Sequence, residues 1–334
     1  MADQDGVRLL IFRMQLLNLP LYKIVVPTPF HVGPVNVYLI TEPEVSLIDA
    51  GPHTPEAYAA VRQGLGERSL SLRDVRKILI THGHPDHYGQ AAVLARETDA
   101  ILHAPTFDSP DFQHRINQDF YLRMYEEAGV PPQVVNQFVE EFHFIQQVAE
   151  PLTEYTPIQE GDPLLCGDLE FEVLSTPGHT PGSVCFYSRE RRLLIAADTV
   201  IKRITPNPVL NEDPLRPGKR YPSLKNYLAS LEKLRLLGPE LVCSGHGDDV
   251  DEFPPLFAKM MRHHEERQGR VLALLQGQPK PLWTLVSELF PGVRDDGRFL
   301  ALSEVFAHVD FLDDRSLVRW IQRDGMRMIE AVKT

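Results

Sequence analysis

Ile80-Thr81-His82-Gly83-His84-Pro85-Asp86-His87-Tyr88-Gly89 places three histidines and an aspartate within six residues, directly after a strand-like run from Val75 to Ile80. The last three residues of that run, Ile78-Leu79-Ile80, are continuously apolar and read as a buried strand. Imidazole nitrogen and carboxylate oxygen are the donors that zinc and its first-row neighbours accept. In an extended loop, His82 and His84 can point to one side. Asp86 and His87 fall where the chain turns into the next helix, so they can aim at a second point nearby. Crowding this many ionisable groups together is costly unless a cation neutralises the carboxylate and orders the rings. The competing reading is a histidine-rich surface loop with Asp86 as a helix cap.

Three further segments weaken that alternative. Ser175-Thr176-Pro177-Gly178-His179-Thr180-Pro181-Gly182-Ser183 sets His179 in a Gly/Pro-rich loop between two strand patterns. Asp198 follows the apolar run Leu193 to Ala197, and His246 lies in Ser244-Gly245-His246-Gly247, again after a strand pattern. Each is a candidate ligand at a strand end, where a rigid scaffold presents reactive groups from loops.

Taken together and in this order, these segments resemble the metallo-β-lactamase superfamily. The likeness rests on His-x-His-x-Asp-His at 82–87, Gly-His at 178–179, Asp198 and Gly-His at 245–246, and it covers roughly residues 20–250. Asp49, in Leu47-Ile48-Asp49-Ala50-Gly51, matches an aspartate that supports a ligand from behind in that family. The resemblance implies an αββα sandwich with two divalent metal ions, zinc first and iron or manganese as alternatives. One metal would be held by His82, His84 and His179 and the other by Asp86, His87 and His246, with Asp198 bridging them. An aspartate rather than a cysteine at position 198 fits the glyoxalase II, lactonase and nuclease branches better than the true β-lactamases. A hydroxide shared by the metals would attack a carbonyl or phosphorus, and Asp86 would move the proton to the leaving group.

The rest of the chain sets the frame. Its 334 residues, 43% hydrophobic and 24% charged, exclude disordered and collagen-like classes and suggest one large domain plus an appendage. The 46 acidic residues outnumber the 34 basic ones, giving a net charge of −12 that argues against a nucleic-acid-gripping surface. Cys166, Cys185 and Cys243 are odd in number and widely spaced, and read as reduced buried residues. The acidic start Met-Ala-Asp-Gln-Asp and the interruption at Arg13 do not resemble a signal peptide. No segment approaches the ~18 uninterrupted apolar residues of a membrane span. A cytoplasmic protein is the expectation.

Strands are expected at Val35–Ile40, Val45–Gly51, Val75–Ile80, Ile101–His103, Leu169–Leu174, Val184–Tyr187, Leu193–Ala197 and Leu241–Ser244. Helices are expected at 55–66, from Tyr88 to Glu97, and from Ser223 to Leu237 with Ser223 as N-cap. Residues 105–150 read as a helical insertion with a break at Pro131-Pro132, forming a lid, a pocket wall or a dimer surface. A catalytic domain over 1–254 would be followed at 255–334 by a small, mainly helical domain. Helices are expected there at 255–276, 281–289 and 301–309, with another starting near Asp314. That stretch resembles the winged-helix-like domain of some superfamily members, although its charge is close to balanced.

Of the remaining histidines, none shows a partner at ligand spacing, and His263-His264 read as pointing to different helix faces. Tyr88 reads equally as a pocket wall or as packing beneath the helix, while Lys202 and Arg203 are weak candidates for meeting an anionic substrate. The functional expectation is hydrolysis of an ester, thioester or lactone of a small metabolite. An RNA phosphodiesterase and a non-catalytic binding module are the alternatives, with a homodimer possible and no membrane partner.

Overall fold

The computed structural model describes residues 19–332 apart from Asp324; the acidic start and Arg13 lie outside the described residues. Six strands run in sequence order across the first sheet: β1 (Leu21–Val26), β2 (Val35–Ile40), β3 (Val45–Ile48), β4 (Val75–Leu79), β5 (Ile101–Pro105) and β6 (Thr156–Ile158). The first three pair antiparallel and the last four parallel. The second sheet has the order β11-β10-β9-β8-β7, made of β7 (Pro163–Cys166), β8 (Leu169–Ser175), β9 (Val184–Ser188), β10 (Leu193–Ala197) and β11 (Leu241–Ser244). Every residue of β2, β3, β9, β10 and β11 is buried, as expected of apolar runs covered on both faces.

The sheets meet through Tyr38, Ile40, Ile48 and Leu79 on one side and Phe171, Phe186, Ile195 and Cys243 on the other. On the outer face of the first sheet, Leu47 and Ile78 pack against Val61 and Leu65 of α1 (Pro55–Gly66). Thr54 caps α1 by accepting from the Ala57 amide, and Pro55 fills its first turn. On the outer face of the second sheet, Leu194 and Val242 meet Tyr227 and Leu231 of a helix at Ser223–Leu237, together with Phe253 and Met260. The result is the expected αββα sandwich.

Several local expectations change. The stretch from Tyr88 to Glu97 is two helices, α2 (Pro85–Tyr88) and α3 (Ala91–Thr98). They part at Gly89, where a Cβ would sit 2.4 Å from the Pro85 carbonyl and 2.6 Å from that of Val148. Strands β1, β6 and β7 were not expected: each has exposed residues, and β6 carries a proline, which edge strands tolerate. The insertion forms α4 (Ser109–Phe112), α5 (Gln118–Ala128) and α6 (Pro132–Gln147). Gly129, with φ of 75°, ends α5, and the Pro131-Pro132 break opens α6. Ser223 does not cap the next helix, α7 (Ser223–Leu237). Pro222 takes the cap position, and the Ser223 hydroxyl donates instead to the Val209 carbonyl at 2.8 Å.

Beyond the sandwich lie α8 (Phe253–Leu274), α9 (Leu282–Leu289) and α10 (Arg298–Asp314). The helix expected to begin near Asp314 is instead a hairpin of β12 (Val318–Arg323) and β13 (Met326–Ala331). Ser316, with φ of 58°, turns the chain out of α10, and Trp320 of the hairpin stacks on Phe306. Phe120, Tyr125 and Phe138 of the insertion share one apolar cluster with Leu285, Leu302, Phe306 and Ile329, so insertion and C-terminal region pack as one body. Helix α8 begins against the second sheet through Phe253 and Met260 and ends in that cluster through Val271. Among the described residues, no helix is long and apolar enough to cross a membrane.

Candidate metal centre and the cleft beside it

The loops that follow β4, β8, β10 and β11 converge at one edge of the sandwich. Positive backbone φ at Asp49 (61°) and Ala197 (44°) marks a chain held in an unfavoured conformation at this edge, as at many functional sites. Gly245 is required by contact: a Cβ there would lie 2.1 Å from Asp198 Oδ1. At Gly178, with φ of 141°, a Cβ would meet the Tyr227 backbone at 2.4 Å.

His84 Nδ1 lies 3.1 Å from His82 Nε2 and 2.9 Å from His179 Nε2. Asp86, His87 and His246 form a second group, with His246 Nε2 3.3 Å from Asp86 Oδ2. Asp198 stands between the groups. Its Oδ2 is 3.5 Å from both His179 Nε2 and His246 Nε2, and its Oδ1 is 3.4 Å from His87 Nε2. The structure therefore brings together all seven residues that the sequence singled out.

The far sides of three of the rings are braced. His87 Nδ1 donates to Asp49 Oδ2 at 2.7 Å, His179 Nδ1 to the Asn207 carbonyl at 2.8 Å and His246 Nδ1 to the Pro34 carbonyl at 2.9 Å. Asp49 also accepts from the amide and hydroxyl of Thr81, each at 2.9 Å, as the family likeness implied for a supporting residue. With the proton fixed on the far nitrogen, each near nitrogen presents a lone pair inward. His87 Nε2, His246 Nε2 and Asp198 Oδ1 are buried without any hydrogen-bond partner. An orphaned buried polar atom costs roughly 1–3 kcal/mol; three of them facing one point fit a cation, and the nitrogen and oxygen donor set fits divalent first-row ions.

The electrostatics agree. Burial, with the neighbouring rings, lowers His82, His84 (to about 3) and His179 towards the neutral form that can ligate. Burial opposes the charge of Asp86, but His87 and His246 beside it overcome that and hold it below the usual carboxylate range. Burial likewise opposes charge on His87 and His246, yet Asp198 and its acidic neighbours draw both upward, His246 to about 10. The carboxylate side of the site calls for positive charge.

Sequence reading missed Asp108. Its fully buried carboxylate accepts from the Gly83 amide at 2.7 Å, the Gly182 amide at 2.6 Å and the Thr180 hydroxyl at 2.6 Å. It thus clamps the loop carrying His82 and His84 to the loop carrying His179, although burial pushes it up to about 6. The only signal was an aspartate before Ser109-Pro110, which looks like an ordinary helix start.

An open cleft of about 1140 Å³ adjoins the centre at His84, with walls that include Tyr121, Leu122, Tyr125, Phe138, Phe142 and Ile145 of the insertion. Leu210 and Phe299 close the far side, and none of the described lining residues is lysine or arginine. Tyr88 serves both expected roles: it lines the cleft, stacks edge-on with Phe112 and donates to the Asp111 carbonyl at 3.0 Å. Lys202 and Arg203 do not join the lining; they pair with Asp251 and Asp248 at 3.1 and 2.6 Å. One expectation is overturned: His263, His264 and His308 do find partners, because Glu304 comes to rest among them.

A sequence model of the metallo-beta-lactamase superfamily matches residues 31–246, and the chain belongs to that family. Among similar proteins, the probable metallo-hydrolase YqjP of Bacillus subtilis is 30% identical over 302 residues, spanning 86% of this chain and 90% of that protein. A metallo-beta-lactamase family protein of Thermus thermophilus, TTHA1429, superposes with a TM-score of 0.82 at 28% identity, over 94% of this chain and 99% of that one. A beta-lactamase domain protein of Burkholderia ambifaria has the same fold, with a TM-score of 0.80 at 21% identity over 94% and 92%. The protein is a metal-dependent hydrolase of this fold.

Proposed function

We propose that the chain hydrolyses an ester, thioester or lactone whose acyl part is apolar, at a pair of zinc ions. The observation that carries this reading is the cleft at His84, walled by aromatic and aliphatic side chains and, among described residues, free of lysine and arginine. Beyond the ions themselves, a phosphorylated or polyanionic substrate would find no lysine or arginine in the described lining, which includes Asp111 and Glu141. His82, His84 and His179 would hold one ion and Asp86, His87 and His246 the other, with Asp198 shared, in the spacing described above.

Such ions lower the pKa of water near neutrality and polarise a carbonyl oxygen. The chain's own residues do the rest. A carboxylate oxygen of Asp86 accepts the proton of the attacking water and returns it to the leaving alcohol or thiol. Tyr88, Tyr121 and Phe138 seat the acyl group and keep water from its flank.

The three helices and hairpin of the C-terminal region support a winged-helix-like reading, with packing as its role. Two of its arginines are paired: Arg319 with Glu330 and Arg327 with Glu127. Three buried free thiols, Cys166, Cys185 and Cys243, support a reducing compartment such as the cytoplasm.

The test is a panel of acyl esters and thioesters from acetyl to dodecanoyl, run beside lactones and short RNA, with chelation as control. We expect kcat/KM to rise by up to about fourfold per methylene while the chain fills the cleft. Faster cleavage of RNA, or no turnover by metal-loaded protein on any substrate, would replace this reading with the nuclease or the binding module.

A further inference from the structure

Helices α8 and α10 pack against each other, and a second constellation of candidate metal-binding side chains forms at their contact. His263 and His264 come from α8; Glu304 and His308 come from successive turns of α10. Glu304 Oε1 lies 3.7 Å from His263 Nε2 and 3.4 Å from His308 Nε2, and His308 Nε2 lies 3.4 Å from His264 Nδ1. These separations are too long for good hydrogen bonds. The separation of Glu304 Oε1 from His263 Nε2 is near the edge of a coordination tetrahedron, about 3.3–3.4 Å for metal–ligand bonds of 2.0–2.1 Å, and His264 offers a third ligand atom within 4.8 Å of both. The catalytic cluster shows the same spacing, 3.3 to 3.5 Å between its carboxylates and rings.

Three atoms here are also buried with no hydrogen-bond partner among the described residues: Glu304 Oε1, His264 Nε2 and His308 Nδ1. Glu304, His264 and His308 are nearly inaccessible, whereas the side chain of His263 is 38% exposed and gives an ion a way in from solvent. Arg267 approaches the same Glu304 oxygen at 3.5 Å while lying 4.4 Å over the Phe290 ring, so its charge weakens but does not block a cation.

We propose that this cluster is a third divalent-cation site, of zinc type, held by His263, His264 and Glu304. His308 backs it, and the remaining position is open at the His263 rim. It pins α8 to α10. The pin reaches the catalytic centre through Asn207, whose amide nitrogen faces the Leu300 carbonyl at 2.8 Å and Glu304 Oε2 at 3.4 Å. The Asn207 carbonyl is the one that holds His179. The site does not depend on the substrate reading.

Metal-depleted full-length protein is titrated with zinc by calorimetry and elemental analysis, and crystals grown with zinc are measured at the zinc absorption edge. We expect three equivalents, the third weaker than the first two, and an anomalous peak within bonding distance of His263 and Glu304. His263→Ala, at the exposed rim, should take up two equivalents, as should Glu304→Gln. Saturation of the unmodified protein at two equivalents overturns the proposal. So does a third equivalent that survives both substitutions, or a third peak lying elsewhere.

Discussion

The two histidine–carboxylate clusters use the same donors at the same spacing and differ in what stands behind them. At the catalytic edge, Asp49, the Asn207 carbonyl and the Pro34 carbonyl fix the outer nitrogens of His87, His179 and His246. At the α8–α10 crossing, His264 Nε2 and His308 Nδ1 have no such brace, and Arg267 adds a positive charge. Bracing lets a site bind and orient an ion without reorganising, and partners of this kind are typically worth 10–100-fold in metal affinity. The catalytic cluster is therefore built for chemistry, the other for attachment.

The hardest blow to this contrast is Asp198→Ala. Asp198 touches both catalytic groups, so its removal should lower turnover on the order of a thousandfold or more, about 4 kcal/mol of transition-state stabilisation. The third zinc equivalent should be unchanged, because Asp198 takes no part in the α8–α10 cluster. Steady-state kinetics and zinc titration on the same preparation check both halves. Full activity in the variant would remove the two-metal reading.

Next in size is Asp108→Asn. The carboxylate accepts from three donors on two ligand loops, and an amide can accept on one side only. Leaving a buried donor unmatched costs about 1–3 kcal/mol. Chelator competition should show the metal at His82, His84 and His179 loosened by about ten- to a hundredfold, with a smaller effect on the other ions. Equal loosening at all three would mean general destabilisation, and the clamp would be discarded.

What the sequence disclosed follows from how each feature is encoded. The sandwich was legible because β2, β9, β10 and β11 are short apolar runs with turn residues at their ends. The candidate ligands were legible because four sit in one hexapeptide, His179 and His246 adjoin glycines after strands, and Asp198 directly follows an apolar strand. The α8–α10 cluster was hidden because its members lie on separate helices, with His264 and His308 44 positions apart, and only packing brings them together. Adjacent His263 and His264 looked mismatched on an isolated helix, yet Glu304 reaches between their rings. Asp108 was hidden for a related reason: two of its three partners are backbone amides, which carry no residue signature. The edge strands β1, β6 and β7 lacked full apolar runs because solvent or sparse cover lies on one side.

The smallest expected effect bears on whether the two clusters are connected at all. Asn207→Ala leaves the carbonyl that holds His179 but deletes the amide that faces Leu300 and Glu304. The lost hydrogen bond contributes about 0.5–1.5 kcal/mol, so kcat should fall about two- to tenfold. KM should stay put, because Asn207 does not line the cleft. Third-site zinc should raise kcat in the unmodified protein but not in Asn207→Ala, since the deleted amide is the contact through which Leu300 and Glu304 reach that loop. A kcat that ignores both the substitution and the third zinc would show that the α8–α10 cluster serves only the packing of the C-terminal region. A kcat that rises with third-site zinc in the unmodified protein and not in the variant would show that the unbraced cluster supports the braced one.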